Sequence, residues 1–127
     1  MDDLVEYEFA NEAFYLAFEA KDYNAMEHLW SAREELICLH PGWPALIGRD
    51  RVLRSWRDIL TNPAQGQVSF YGAHVAELTQ DSAAVVCYER AGGQTMVATN
   101  LFVRENERVC LVAHQAAYCA QPPQEAS

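Results

Sequence analysis

The sequence predicts an α+β domain in which three N-terminal helices pack on a strongly curved, mainly antiparallel sheet. Three observations carry that expectation. Up to Leu60, apolar residues recur at steps of three and four, the spacing of a helical face. From Val68 onward the period shortens to two, as in strands with one face buried. Only short turns, at 79–81, 92–93 and 105–107, divide these alternating stretches, so neighbouring strands must pair antiparallel.

Each element has its own signal. A long helix is expected over 3–20, where Val5, Phe9, Ala13, Leu16, Ala17 and Ala20 form an apolar stripe and Glu6, Asn11, Glu12 and Glu19 lie off it. Asp22 offers a capping oxygen to a short second helix with Met26, Leu29 and Trp30 on one face. The apolar run 36–39 reads as a first strand. A third helix over 49–60 buries Val52, Leu53, Trp56, Ile59 and Leu60, turns Arg51, Arg54, Arg57 and Asp58 to water, and stops at Asn62-Pro63. Four long strands follow: one starting at Val68 and including Phe70 and Val75, then 83–90, 95–104 and 109–118. The segment 121–127 lacks apolar periodicity and is expected to be a flexible tail on a single domain spanning 1–120. A curved sheet wrapped over helices makes a cone, and its open end is a natural ligand cavity.

Composition narrows the partners. The 127 residues are half hydrophobic, enough for one core, and nine basic against eighteen acidic residues give a net charge of −9. That field repels phosphate backbones and anionic lipid, so neither nucleic acid nor a membrane surface is an expected partner. No apolar run approaches a bilayer span, and Met1-Asp2-Asp3 lacks the layout of a secretion signal, so a cytoplasmic location is expected. Cys38, Cys87, Cys110 and Cys119 stand singly, without Cys-x-x-Cys or His-x-x-x-His spacing; no metal and no cofactor is expected. Buried reduced thiols and a disulfide between adjacent strands both remain open.

The richest stretch is Leu39-His40-Pro41-Gly42-Trp43-Pro44-Ala45-Leu46-Ile47-Gly48-Arg49, running into Ser55-Trp56. His40, at a strand end beside a tryptophan-bearing loop, is the candidate catalytic base; alternatively its ring holds the Pro41-Gly42 turn. His114 shares a strand face with Val112 and Ala116, facing either the cone or a subunit interface. Asn100, between Ala98 and Phe102 on its strand face, is either a ligand contact or a structural bond. Trp30, Trp43, Trp56 and Tyr71 would line an aromatic wall if they converge, suiting a flat ligand. Tyr88, a further candidate ligand contact, shares a face with Arg90, which either meets an anion or is solvated. His28 and His74 read as surface or structural. Glu77 and Glu89 lie in strands and form no evident carboxylate pair, so catalysis would lean on histidine.

Taken with Ala20-Lys21-Asp22, Leu29-Trp30-Ser31, Ala98-Thr99-Asn100-Leu101-Phe102 and Val112-Ala113-His114-Gln115-Ala116, the chain resembles the SnoaL-like branch of the nuclear transport factor 2-like superfamily. The resemblance implies a cystatin-like cone and a homodimer formed through the outer face of the sheet. It also implies a pocket that in some relatives performs isomerase, cyclase or dehydratase chemistry. In other relatives, such as the association domain of calcium/calmodulin-dependent kinase, the same cone is a binding or assembly module. The chain departs from the pattern in three places. Val109 or Cys110 stands where a tryptophan often begins the last strand, His114-Gln115 replaces a frequent His-His pair, and His40 lies where ketosteroid isomerase-like relatives carry a carboxylate.

Two functions are therefore expected to compete. One is an isomerase, cyclase or dehydratase acting on a small hydrophobic or aromatic compound, with His40 as base and Asn100, His114, Tyr15 or Tyr71 hydrogen-bonding the oxyanion. The other is a non-catalytic dimeric ligand-binding or assembly module.

Overall fold

The computed structural model describes residues 3–125. Its elements run α1 (Asp3–Ala20), α2 (Tyr23–Leu29), β1 (Ile37–Leu39), β2 (Leu46–Ile47), α3 (Arg49–Thr61), β3 (Val68–Thr79), β4 (Ser82–Ala91), β5 (Gln94–Glu105) and β6 (Arg108–Tyr118). The helices cover one face of a six-stranded sheet ordered β2-β1-β6-β5-β4-β3. Every strand pair is antiparallel except β1 with β6. The predicted architecture of three helices on a curved, mostly antiparallel sheet is the observed one.

The first helix differs from expectation in its orientation. Tyr7, Asn11, Phe14, Tyr15 and Ala17 are buried, whereas Phe9 and Leu16, assigned to the buried stripe, are 61% and 58% exposed. Ala20 is also exposed. Aromatic and aliphatic residues occur all round α1, so periodicity alone does not choose a face; the sheet does, by offering partners to the hydroxyl of Tyr15 and the amide of Asn11.

Asp22 caps α2 as its sequence requires, accepting from the Ala25 backbone N–H at 3.1 Å. Trp30 does not continue that helix. It turns extended and forms a bridge with Leu111 of β6. The two residues of β2, too short to show a period, pair with β1 and make a hairpin whose loop carries His40 and Trp43. Downstream, α3 buries Val52, Leu53, Ser55, Trp56 and Leu60 against the cone interior. Ile59, expected to be buried with them, is only half-buried.

Alternation then sets what the cone contains. Ala83, Val85, Cys87 and Glu89 of β4 are buried, as are Met96, Ala98, Asn100 and Phe102 of β5, while the residues between them are partly exposed. A bulge lies between Tyr71 and His74 of β3, where Gly72 adopts a φ of +67° that favours glycine and where an added Cβ would sit a tight 3.3 Å from the Tyr88 ring. Residues 119–125 cross the outer side of the sheet. Tyr71 donates its hydroxyl hydrogen to the Pro123 carbonyl at 2.7 Å, and Arg90 pairs with Glu125 at 2.6 Å. All four cysteines are free thiols. Among the described residues, no helix is long and apolar enough to cross a membrane.

Candidate functional site

The open end of the cone holds a cavity of about 410 Å³, lined by Phe18, His40, Trp43, Glu89, Met96 and His114 among others. His40 of the β1–β2 loop, Glu89 of β4 and His114 of β6 meet on it, with Asp58 of α3, Asn62 and Gln65 completing the polar lining. Strand register sets the sheet side of the arrangement. Cys38 of β1 lies opposite His114 of β6, which lies opposite Asn100 of β5.

His40, two residues past Cys38, is 6% exposed and packed between two indoles, with ring centroids 4.8 Å from Trp43 and 4.9 Å from Trp56. Its Nε2 lies 2.9 Å from the Ser55 hydroxyl and 3.4 Å from the Cys38 sulfur. Ser55 donates its hydrogen to the Val52 carbonyl at 2.7 Å, so it accepts from His40, and Nε2 carries the proton. The other nitrogen, Nδ1, is therefore the basic atom. Burial disfavours the imidazolium and pulls the pKa of His40 down from 6.5 to about 4.

His114, 2% exposed, has its ring 6.2 Å from that of His40. Its Nδ1 lies 2.6 Å from the Asn100 side-chain oxygen. Burial first, then the proximity of His40, pulls its pKa down to about 3. Both imidazoles are neutral at neutral pH.

Glu89 is the residue that sequence reasoning missed. It is 4% exposed, accepts a hydrogen bond from Tyr15 at 2.6 Å, and sits 4.0 Å from Nε2 of His114. Burial pushes its carboxyl up from 4.5 to about 7, while the Tyr15 hydrogen bond draws it partly back. The Tyr15 phenol is itself pushed well above its ordinary value, by burial and then by Glu89. The signal was present in the alternation: Ala83, Val85 and Cys87 declare one face of β4 buried, and Glu89 is the next residue on that face.

The other expected site residues fall into two groups. Trp43 lines the mouth and is half exposed; Trp56 stands behind both imidazoles within the core; Asn100 is fully buried behind His114. Trp30, Tyr71 and Tyr88 do not line the cavity. Trp30 is buried against Leu111, and Tyr71 and Tyr88 stack on each other at 5.4 Å on the outer side of the sheet, with Arg90 over Tyr71 at 4.1 Å. The expected aromatic wall is thus split, because β3 turns Phe70, stacked on Tyr15, inward and Tyr71 outward.

Known proteins share this fold. The family described as SnoaL-like domain matches residues 8–121. A candidate dehydratase of the nuclear transport factor 2-like family from Streptomyces avermitilis is similar at 34% identity and a TM-score of 0.81, over 94% of this chain and 97% of that one. A candidate calcium/calmodulin-dependent protein kinase type II association domain from Thiobacillus denitrificans is similar at 27% identity and a TM-score of 0.79, over 88% and 94%. A cystatin-like fold protein of unknown function from Nostoc punctiforme shares the fold at 13% identity and a TM-score of 0.75, over 95% and 94%. No curated protein matches the chain. With the family matched across nearly the whole chain and the cone in place, the chain belongs to the SnoaL-like domain family of the nuclear transport factor 2-like superfamily.

Proposed function

We propose that the open cavity catalyses proton transfer on a small hydrophobic or aromatic carbonyl compound, as a dehydratase or isomerase. The observation that carries this reading is the meeting of His40, Glu89 and His114 on one cavity. His40 supplies a base whose Nδ1 is unprotonated at neutral pH, and Glu89 supplies a carboxyl whose proton is exchangeable near pH 7. In the dehydration, His40 takes a proton from the carbon next to the carbonyl. Those electrons form the C=C bond, the C–O bond one carbon further breaks, and the departing oxygen takes the Glu89 proton to leave as water. A base as weak as His40 requires that the carbon acid be activated by its carbonyl. The Asp58 and Glu89 carboxyls and the lack of any Lys or Arg in the lining, among the described residues, favour an uncharged substrate. The similarity to the Streptomyces avermitilis protein supports the dehydratase form.

The test is a panel of β-hydroxy ketones followed by the ultraviolet absorbance of the conjugated product. Wild type turns over at least one member; H40Q and E89Q each lose roughly 10²- to 10⁴-fold in kcat while retaining substrate binding. Binding without turnover by the wild type would favour the rival reading, a non-catalytic ligand-binding or assembly module, which the similarity to the Thiobacillus denitrificans protein supports.

A homodimer through the outer sheet face belongs to the same proposal. Val86, Val97 and Ala113 lie half-buried on that face, leaving apolar surface that a second copy would cover. Sedimentation of V97E as a monomer, beside a dimeric wild type, is the expected result. The four free thiols suit a reducing compartment, and a cytoplasmic location is proposed with them.

A further inference from the structure

We infer that the Glu89 carboxyl and Nε2 of His114 form a cradle for one ligand hydroxyl, and that Asn100 is the positioning residue that holds His114 ready for it. The inference shares with the proposed function only the premise that a small molecule occupies the cavity; it names the group by which that molecule is recognised.

The orientation of Asn100 is fixed from behind. Its Nδ2 donates to Oδ1 of Asn11 at 2.9 Å and to the phenolic oxygen of Tyr15 at 3.2 Å. Tyr15 has given its own hydrogen to Glu89, and the Cys87 thiol donates to the same phenolic oxygen at 3.3 Å, so that oxygen is an acceptor. Turning the Asn100 amide over would set its oxygen against the oxygen of Asn11 and its NH₂ against the imidazole. The observed orientation therefore presents Oδ1 to His114, 2.6 Å from Nδ1. An amide oxygen only accepts, so Nδ1 of the neutral ring holds the proton and Nε2 is left bare.

That bare nitrogen has no hydrogen bond to any described residue. Glu89, at 4.0 Å, is too far for a direct bond, yet the gap lets one oxygen atom sit at hydrogen-bond distance from both groups. The occupant must donate, because Nε2 can only accept. When Glu89 is protonated the occupant must also accept. A hydroxyl does both at one atom, whereas a ketone or a methyl ether cannot donate at all. For the dehydration proposed above, such a cradle would seat the departing hydroxyl against its proton source.

The test uses 2-naphthol and 2-methoxynaphthalene as probes, with long-range nitrogen NMR on the histidines. In the wild type, His114 is protonated on Nδ1, 2-naphthol shifts its Nε2 resonance, and 2-naphthol binds about tenfold more tightly than the ether or better. In N100L the ring is released into a mixture of tautomers, and the preference falls to within about threefold. Should N100L fail to fold, N11A, which frees the Asn100 amide to turn, takes its place. A wild-type His114 protonated on Nε2, an Nε2 resonance unmoved by millimolar 2-naphthol, or equal affinity for the two probes overturns the inference. None of these readouts needs turnover, so the cradle and the dehydration stand or fall separately.

Discussion

The two ends of the cone are built from the same strands and differ in what those strands point inward. At the closed end, Phe102 of β5 and Leu111 of β6 are fully buried with Trp30 and Tyr7. Two or three residues further along the same strands, the inward positions are Asn100 and His114, and β4 passes from Ala83 and Val85 to Cys87 and Glu89. One end is thus a conventional packed core and the other a polar network in a dry setting. Apolar packing and buried polar groups are divided lengthwise, strand by strand, rather than between core and loops. Buried polar groups cost stability unless satisfied, so a chain that places three titratable side chains at one end depends on the other end to hold the fold.

The largest expected effect breaks the closed end. Trp30→Ala removes a fully buried indole and should destabilise the fold by about 3–5 kcal/mol in urea unfolding. The ring signals of His40 and His114 should stay put at temperatures where the variant is folded; their displacement would show that the two ends are not separable.

A smaller effect concerns the open end and pH. The folded pKa of Glu89, about 7, lies above its ordinary 4.5, so between those values the folded chain keeps a proton that the unfolded chain has released, and stability falls as pH rises through that window. His40 and His114 act oppositely. Their folded pKa values, about 4 and about 3, lie below 6.5, so the unfolded chain binds protons that the folded chain refuses, and stability rises with pH up to that point. With two groups against one, these three together place maximal stability at about pH 7. E89Q should gain on the wild type by up to about 3 kcal/mol between pH 4.5 and pH 8, measured as the difference in unfolding free energy. A pH-independent difference would show that Glu89 is not held in a raised state.

The smallest effect sits outside both ends. Leu16→Glu, on the exposed face of α1, should change stability by no more than about 0.5 kcal/mol in either direction, measured by the same unfolding curves. A loss of several kcal/mol would mean that this face is covered in solution.

Most of the fold was legible because period is a local property. The switch from helical spacing to alternation at Val68 and the glycine turn at 92–93 placed β3 to β6 without reference to anything distant. What was not legible depended on partners far away in sequence. Which face of α1 is buried is decided by Tyr15 reaching Glu89 and Asn11 reaching Asn100, across separations of 74 and 89 residues. Glu89 looked like an ordinary strand carboxylate because a single charged residue ending an apolar alternation is usually where a strand meets water. Its burial follows from Tyr15 covering it and from the sheet curving over it, neither of which is written in β4. Residue type suits Tyr71 and Tyr88 to a ligand cavity, whereas pleat direction sends both to the other side of the sheet.

The three tryptophans of the chain are unequally placed: Trp30 and Trp56 are dry, while Trp43 is 46% exposed at the cavity mouth beside His40. The molecule therefore carries its own optical probe. Light emitted at longer wavelength, and any quenching by small solutes added from water, reports chiefly on the rim, while the blue-shifted remainder reports on the interior. Occupancy of the chamber and integrity of the fold can thus be read as separate colours from one unlabelled sample.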